Sequence, residues 1–218
     1  MNLEMWRTDH YKPIIDALEN HRIPEIYPAE AYIKDEFLDC GLDAGFLAVR
    51  DEITKRGGYA LVTQAWLNPL AKWIGTRRCL EVMGGCGAVS KGLQDCGVSI
   101  RCTDSFSWQK HCPDWFSRPW TQVEMLDATS AIKKYGAESD LIICSWPYLG
   151  QDCYDALLEM RNINPLARMI YIGEWRCGSC ASPEFFETAV RVEDESFEDA
   201  VSGYQTCYLL HDRPYLLC

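Results

Sequence analysis

The sequence predicts an α/β fold built on a mostly parallel, doubly wound sheet, and three observations carry that expectation. Short apolar runs alternate with helix-patterned stretches from residue 77 onward, an order that right-handed crossovers fold into parallel strands. A glycine turn follows the first of these runs at once, in LEVMGGCGAVSKGL (80–93). Acidic residues then close the next two runs.

The elements follow in chain order. From Thr8 to about Ile74 the pattern is helical. PAEAYIKDEFLDC (28–40) and GFLAVRDEITKR (45–56) space apolar residues three and four apart, and Pro28 suits a helix start. YALVTQAWLNPLAKWIG (59–75) reads as another helix, kinked or ended near Asn68-Pro69. The expected strands are RRCLEVM (77–83), VSIRCTD (98–104), TQVEMLD (121–127), DLIICSW (140–146), ARMIYIGE (167–174) and YQTCYLLH (204–211). Between them, GAVSKGLQDCG (87–97), ATSAIKKYG (128–136), CYDALLEMRNI (153–163) and PEFFETAV (183–190) carry helical spacing. The expected organisation is a helical N-terminal segment, 1–74, and a sheet-containing domain, 75–218.

Composition bounds the function. A chain of 218 residues, 48% hydrophobic and 24% charged, suits one large domain with a sizeable core. The net charge of −11 argues against a large duplex nucleic-acid footprint, which needs Lys and Arg to neutralise phosphates. The basic hints ITKRGG (53–58) and IGTRR (74–78) read as solvated helix ends. Apolar stretches are strand-sized, which argues against a membrane span. The opening MNLEMWRTDHYKP lacks a basic-then-apolar signal pattern, so a cytoplasmic location is expected.

Twelve cysteines are scattered through the chain. Most, such as Cys79, Cys102, Cys144 and Cys207, lie in apolar runs where a thiol acts as a small hydrophobe. CGSC (177–180) is a lone CxxC without a second pair at zinc-ligand spacing and reads as reduced thiols in a turn. No metal is expected. There is no Ser/His/Asp series or HExxH pattern either.

The chemistry sits at the strand ends. A strand, a glycine turn and a helix together present backbone N–H groups and let a ligand approach the main chain. Gly84, Gly85 and Gly87 form that floor, with Glu81 just before the turn. Asp104 ends the next strand, where ribose hydroxyls are held in doubly wound sheets. A nicotinamide dinucleotide would want Gly-x-Gly-x-x-Gly; from Gly85 the chain reads G-C-G-A-V-S, with Ser90 in the last place. Asp104 and Asp127 are also placed to cap the helices that follow them.

The ordered set E-V-M-G-G-C-G, C-T-D, L-D-A and S-W-P-Y resembles the class I S-adenosylmethionine-dependent methyltransferases. More closely, it resembles an uncharacterised bacterial methyltransferase-like group of that class, from about Tyr59 to His211. The resemblance implies a Rossmann-like sandwich with a mostly parallel seven-stranded sheet and an antiparallel last strand. It implies Glu81 near the methionine amino group, the glycine turn beneath the cofactor, and Asp104 on the ribose with Ser105 beside it. Asp127 and Ala128 would flank the adenine, and Ser145, Trp146, Pro147 and Tyr148 would line the path to the acceptor. Met83 stands where the usual turn has its first glycine, which narrows the space beside the methionine moiety.

S-W-P-Y keeps the Ser, second Pro and Tyr of a motif that marks methylation of planar nitrogens, with Trp146 in place of the first Pro. The acceptor implied is a small molecule or a side chain, including a planar amine, with Ser145, Tyr148 and Glu174 as candidate catalytic residues. Tyr59, Gln64 and Trp66 are candidates to close over the cofactor, and Trp108 to cover the adenine; core packing is the competing role for the tryptophans. His111 reads as surface. Three other readings stay open: a cofactor-binding regulator, an enzyme cleaving S-adenosylmethionine, and an amino-methyltransferase of adenine in nucleic acid.

Overall fold

A computed structural model of the chain describes residues 12–27, 44–111, 118–176, 178–205 and 212–218, with residues 44–50 described by backbone alone. The apolar runs form five parallel strands: β1 (Cys79–Val82), β2 (Ile100–Asp104), β3 (Val123–Met125), β4 (Leu141–Ser145) and β5 (Arg168–Glu174). A sixth, β6 (Asp212–Leu217), runs antiparallel to β5, from Met169 opposite Leu217 to Glu174 opposite Asp212. The spatial order is β3-β2-β1-β4-β5-β6. This is a Rossmann-like α/β sandwich with one antiparallel last strand.

Two expectations about the sheet change. Among the described residues it has six strands, not seven. On the outer edge of β6 the chain at 190–192 makes only the isolated bridge Arg191–Leu217, with Val192 N–H donating to Leu216 O at 2.8 Å. Pro214 has no N–H to extend a ladder there. The last strand also begins at Asp212; of the expected 204–211 segment, Tyr204 and Gln205 are outside any strand and the remainder lies outside the described residues.

The helices are α1 (Lys12–Glu19), α2 (Ala44–Gly57), α3 (Gln64–Ile74), α4 (Ala88–Asp95), α5 (Ala128–Tyr135), α6 (Asp152–Ile163), α7 (Pro183–Thr188) and α8 (Glu195–Val201). The expected helix at 28–40 lies outside the described residues. Pro69 sits inside α3 without ending it. Burial of Leu67, Leu70, Ala71 and Ile74 holds the helix through the missing hydrogen bond. Gly203 packs so closely there that a Cβ on it would meet Ala65 O at 2.8 Å.

The period of two along each strand divides the core. Leu80, Val82, Ile142, Cys144, Met169 and Tyr171 pack against α5, α6 and α7 through residues such as Ile132, Leu157 and Phe185. Cys79, Leu141, Ile143, Ile170 and Ile172 face the other way, toward Leu93, Phe197, Leu67 and Ile53. The described part of the N-terminal segment therefore shares a core with the sheet. Each fully buried Leu, Ile or Phe contributes about 1.5–3 kcal/mol to that arrangement. The order in which successive strands are laid down reverses between the parallel strands β1 and β4, and the crevice beyond their carboxyl ends is where such sheets bind ligands.

Candidate functional site

A cleft of about 870 Å³ opens at that switch point, near the upper end of the range for small-molecule sites. Its floor begins at Glu81, the third residue of β1, which is 1% exposed. Its carboxylate accepts from Ser90 N–H at 3.1 Å, from the Ser90 hydroxyl, and from the Cys102 thiol at 3.3 Å. Burial pushes its pKa up to about 7, against the pull of those donors.

The turn after β1 is close-packed. A Cβ at Gly84 would lie 2.5 Å from Cys102 Sγ, and one at Gly87, where φ is +77°, would meet Thr121 at 2.9 Å. Met83 holds φ at +53°, a left-handed conformation that glycine adopts freely and a methionine does not. Position 83 thus makes a backbone demand that a glycine would meet without strain.

Asp104 ties the second strand end to this turn. Its carboxylate accepts from Gly85 N–H at 2.7 Å, from Phe106 N–H at 2.5 Å and from Trp108 Nε1 at 3.0 Å. At the third strand end, Asp127 caps α5, accepting from Ser130 N–H at 2.8 Å and Ser130 Oγ at 2.7 Å. Those bonds hold its carboxyl below the usual range. The fourth strand end carries Ser145 into Trp146, whose φ is +49°. Trp146 N–H donates to Ile172 O at 2.7 Å, its Nε1 to Asp212 at 3.1 Å, and its indole stacks on Tyr59 with centroids 5.5 Å apart.

Glu81, Gly84, Gly85, Asp104 and Ser105 all line the cleft, as do Asp127, Ala128 and the run from Ser145 to Tyr148. Gly87 and Glu174 do not. Gly87 opens α4 beneath the floor. Glu174 is fully buried opposite Asp212 in the β5–β6 ladder and is not part of the cleft wall. Tyr59 and Trp108 also line the cleft, whereas Trp66 is core, its Nε1 donating to Leu61 O at 3.0 Å. Gln64 instead donates to Ile23 O at 3.0 Å, and His111 is exposed.

Sequence reasoning missed Asp51 and Thr54 of α2, Asp152 of α6, and Ser179. Nothing in their local sequence marks them, because tertiary packing alone brings α2 and the start of α6 to the rim. Five carboxyls, Asp51, Glu81, Asp104, Asp127 and Asp152, line the cleft, and no Lys, Arg or His does among the described residues. Cys86 is there too, but burial pushes its thiol up to about 12, so it is no thiolate nucleophile at neutral pH. Among the described residues no group of three His, Cys, Asp or Glu could hold a metal, and no helix is long and apolar enough to cross a membrane. Cys180 is a buried free thiol, and Cys177 lies outside the described residues.

No family model matches the chain, and no curated protein does. Solved structures similar to it include an S-adenosylmethionine-dependent methyltransferase from Agrobacterium tumefaciens, at 13% identity and a TM-score of 0.38; the match covers 70% of this chain and 58% of that one. Magnesium protoporphyrin IX methyltransferase from Synechocystis, with bound S-adenosylmethionine, matches at 12% identity and a TM-score of 0.43, covering 81% of this chain and 85% of that one. Human N-acetylserotonin methyltransferase, in complex with S-adenosylmethionine, matches at 16% and 0.38, covering 98% and 68%.

Proposed function

We propose that the chain is an S-adenosylmethionine-dependent methyltransferase acting on a small molecule or a side chain. One observation carries the reading: four successive parallel strand ends deliver the glycine turn, Asp104, Asp127 with Ala128, and Ser145 to Tyr148 into a single cleft. The cleft fits the net positive charge of the cofactor as well, since five carboxyls and no described cation face a ligand whose sulfonium and ammonium outnumber its one carboxylate. A dinucleotide pyrophosphate would meet the same carboxyls as a repulsive wall.

In this reading the main chain at Gly84 and Gly85 supports the methionine end of the ligand, with the Glu81 carboxylate behind it. Asp104 accepts from the ribose hydroxyls while keeping Gly85 in place, and Ser105 lies alongside. Asp127 and Ala128 flank the base, and Trp108, held by Asp104, covers it. The cofactor supplies a methyl group already activated on sulfur, so the protein's remaining task is positioning. Ser145 and Tyr148 orient the acceptor. Glu174 acts at one remove, opposite the Asp212 that holds Trp146.

Titration calorimetry with S-adenosylmethionine and S-adenosylhomocysteine tests the reading; both are expected to bind in the micromolar range of pre-formed sites. Absence of binding by either overturns it. Incubation with S-adenosylmethionine alone separates the rival chemistry, because release of methylthioadenosine would mark a cleaving enzyme.

A further inference from the structure

Beyond the strand-end floor, the cleft is framed by two segments that each bring an aromatic ring and a carboxylate. The first runs from α2 into the loop after it and carries Asp51 and Tyr59; the second runs from β4 into α6 and carries Trp146, Tyr148 and Asp152. Tyr59 and Trp146 stack across the two segments at an interplanar angle of 26°. Tyr148 is 52% exposed and Tyr59 38%, although both belong to the cleft wall.

Trp146 is held firmly. Asp212, fully buried, accepts its indole N–H and also the Tyr204 hydroxyl. A carboxylate accepting from the indole N–H pushes electron density into the ring, which makes the π face more negative and a better partner for a cation. The positive φ of Trp146 is kept against its cost by that bond and by the N–H bond to Ile172. Strain maintained at a cleft wall marks a residue whose orientation matters to what the wall contacts.

The charges point the same way. Asp51 is paired with Lys55 of its own helix at 2.5 Å, but Lys55 does not line the cleft. Asp152 begins α6 on the same loop as the two aromatic residues. An anionic or phosphorylated molecule entering here would meet carboxyls and ring faces with no described cation to receive it.

We propose that the ring-lined end of the cleft takes a small arylalkylamine that is cationic in solution. This rests on the methyltransferase reading for its consequence, that the amine is the methyl acceptor. As an acceptor the ammonium first releases a proton to water. Its freed lone pair then bonds the methyl carbon as the carbon–sulfur bond breaks, leaving a neutral thioether and a methylated ammonium that carries the positive charge formerly on sulfur.

The test uses phenethylamine and 3-phenylpropionate, which share a ring and chain but differ in the sign of their charge. Each is titrated into the full chain by calorimetry, with and without S-adenosylhomocysteine. The amine is expected to bind at least about tenfold more tightly, as one desolvated cation–π contact permits. Tyr59→Ala and Asp152→Asn should each weaken the amine several-fold and by more than they weaken S-adenosylhomocysteine, and Tyr59→Phe should retain both. Equal binding of the two probes, tighter binding of the carboxylate, or no binding of either overturns the proposal. The product titrated alone reports on the cofactor separately: its failure to bind with the amine preference intact overturns the cofactor reading and leaves the amine site standing.

Discussion

The Asp104 carboxylate accepts the Gly85 backbone N–H at 2.7 Å, fastening the end of β2 to the turn that follows β1. The same group receives Phe106 N–H and Trp108 Nε1, so one buried side chain organises the floor and one wall of the cleft. The structural contacts thus fall on the same atoms that the proposed function assigns to the ribose.

Asp104→Ala is expected to fail on both counts. Hydrogen bonds to a charged group contribute about 1.5–3 kcal/mol each, and those left unmade cost nearly as much. The melting temperature should drop by several degrees, and the affinities for S-adenosylmethionine and S-adenosylhomocysteine should fall by roughly ten- to a hundredfold. Thermal unfolding and calorimetry on one preparation measure both. A lower melting point with unchanged ligand affinity would confine Asp104 to the structural task.

Glu81 makes stability depend on pH in an uncommon direction for a carboxyl. Its folded pKa, about 7, lies above the ordinary carboxylate value of 4.5. The folded state therefore holds its proton more tightly than the unfolded chain does. The resulting stabilisation is full below pH 4.5 and is lost as pH rises through 7, amounting to about 3 kcal/mol. Asp127 and Asp194, whose carboxyls are held below their usual range, act oppositely, but only at more acidic pH. Urea unfolding between pH 5 and 8 should show the decline, and Glu81→Gln should flatten it. An equal slope in the variant would assign the effect to another group.

Met83 gives a test of backbone strain. A left-handed conformation costs a non-glycine residue roughly 1–2 kcal/mol. Met83→Gly relieves that while adding about 0.5–1 kcal/mol of unfolded-state entropy and losing some packing. Its stability should thus stay within about 1 kcal/mol of the original chain. Met83→Val, β-branched at φ +53°, should lose clearly more. Denaturant midpoints compare the two, and a valine variant as stable as the glycine variant would refute strain at this position.

Asp127 separates capping from ligand contact. Asp127→Ala removes the acceptor of Ser130 N–H and should lower stability by about 1 kcal/mol. Asp127→Asn keeps a capping oxygen and should hold stability within a few tenths. Placed beside adenine, the asparagine loses charge but keeps an acceptor, so cofactor affinity should fall less than in the alanine variant. Calorimetry of both variants reads the difference; equal affinity in all three proteins would reduce Asp127 to a cap.

The sequence by itself determined what is encoded locally. Short apolar runs mark β1 to β5, most continuously in β1, β4 and β5, which are buried on both faces of the sheet. The three- and four-residue spacing specifies α4 to α6 between them and α7 after β5. The glycine turn and the acids at the strand ends follow from neighbours in the chain, so those residues were legible in advance, whereas the left-handed backbone of Met83 became visible only in the structure. Tertiary structure decided the rest. Pro69 stays helical because the core buries its neighbours, and among the described residues the sheet has six strands, with 190–192 meeting β6 in a single bridge. Glu174 ends its strand as expected, but the antiparallel β6 lies against it and buries it. The ring-lined end depends on contacts between residues as far apart as Tyr59 and Trp146, or Trp146 and Asp212. No local pattern encodes such pairs: they exist only once the sheet has brought distant segments to one edge.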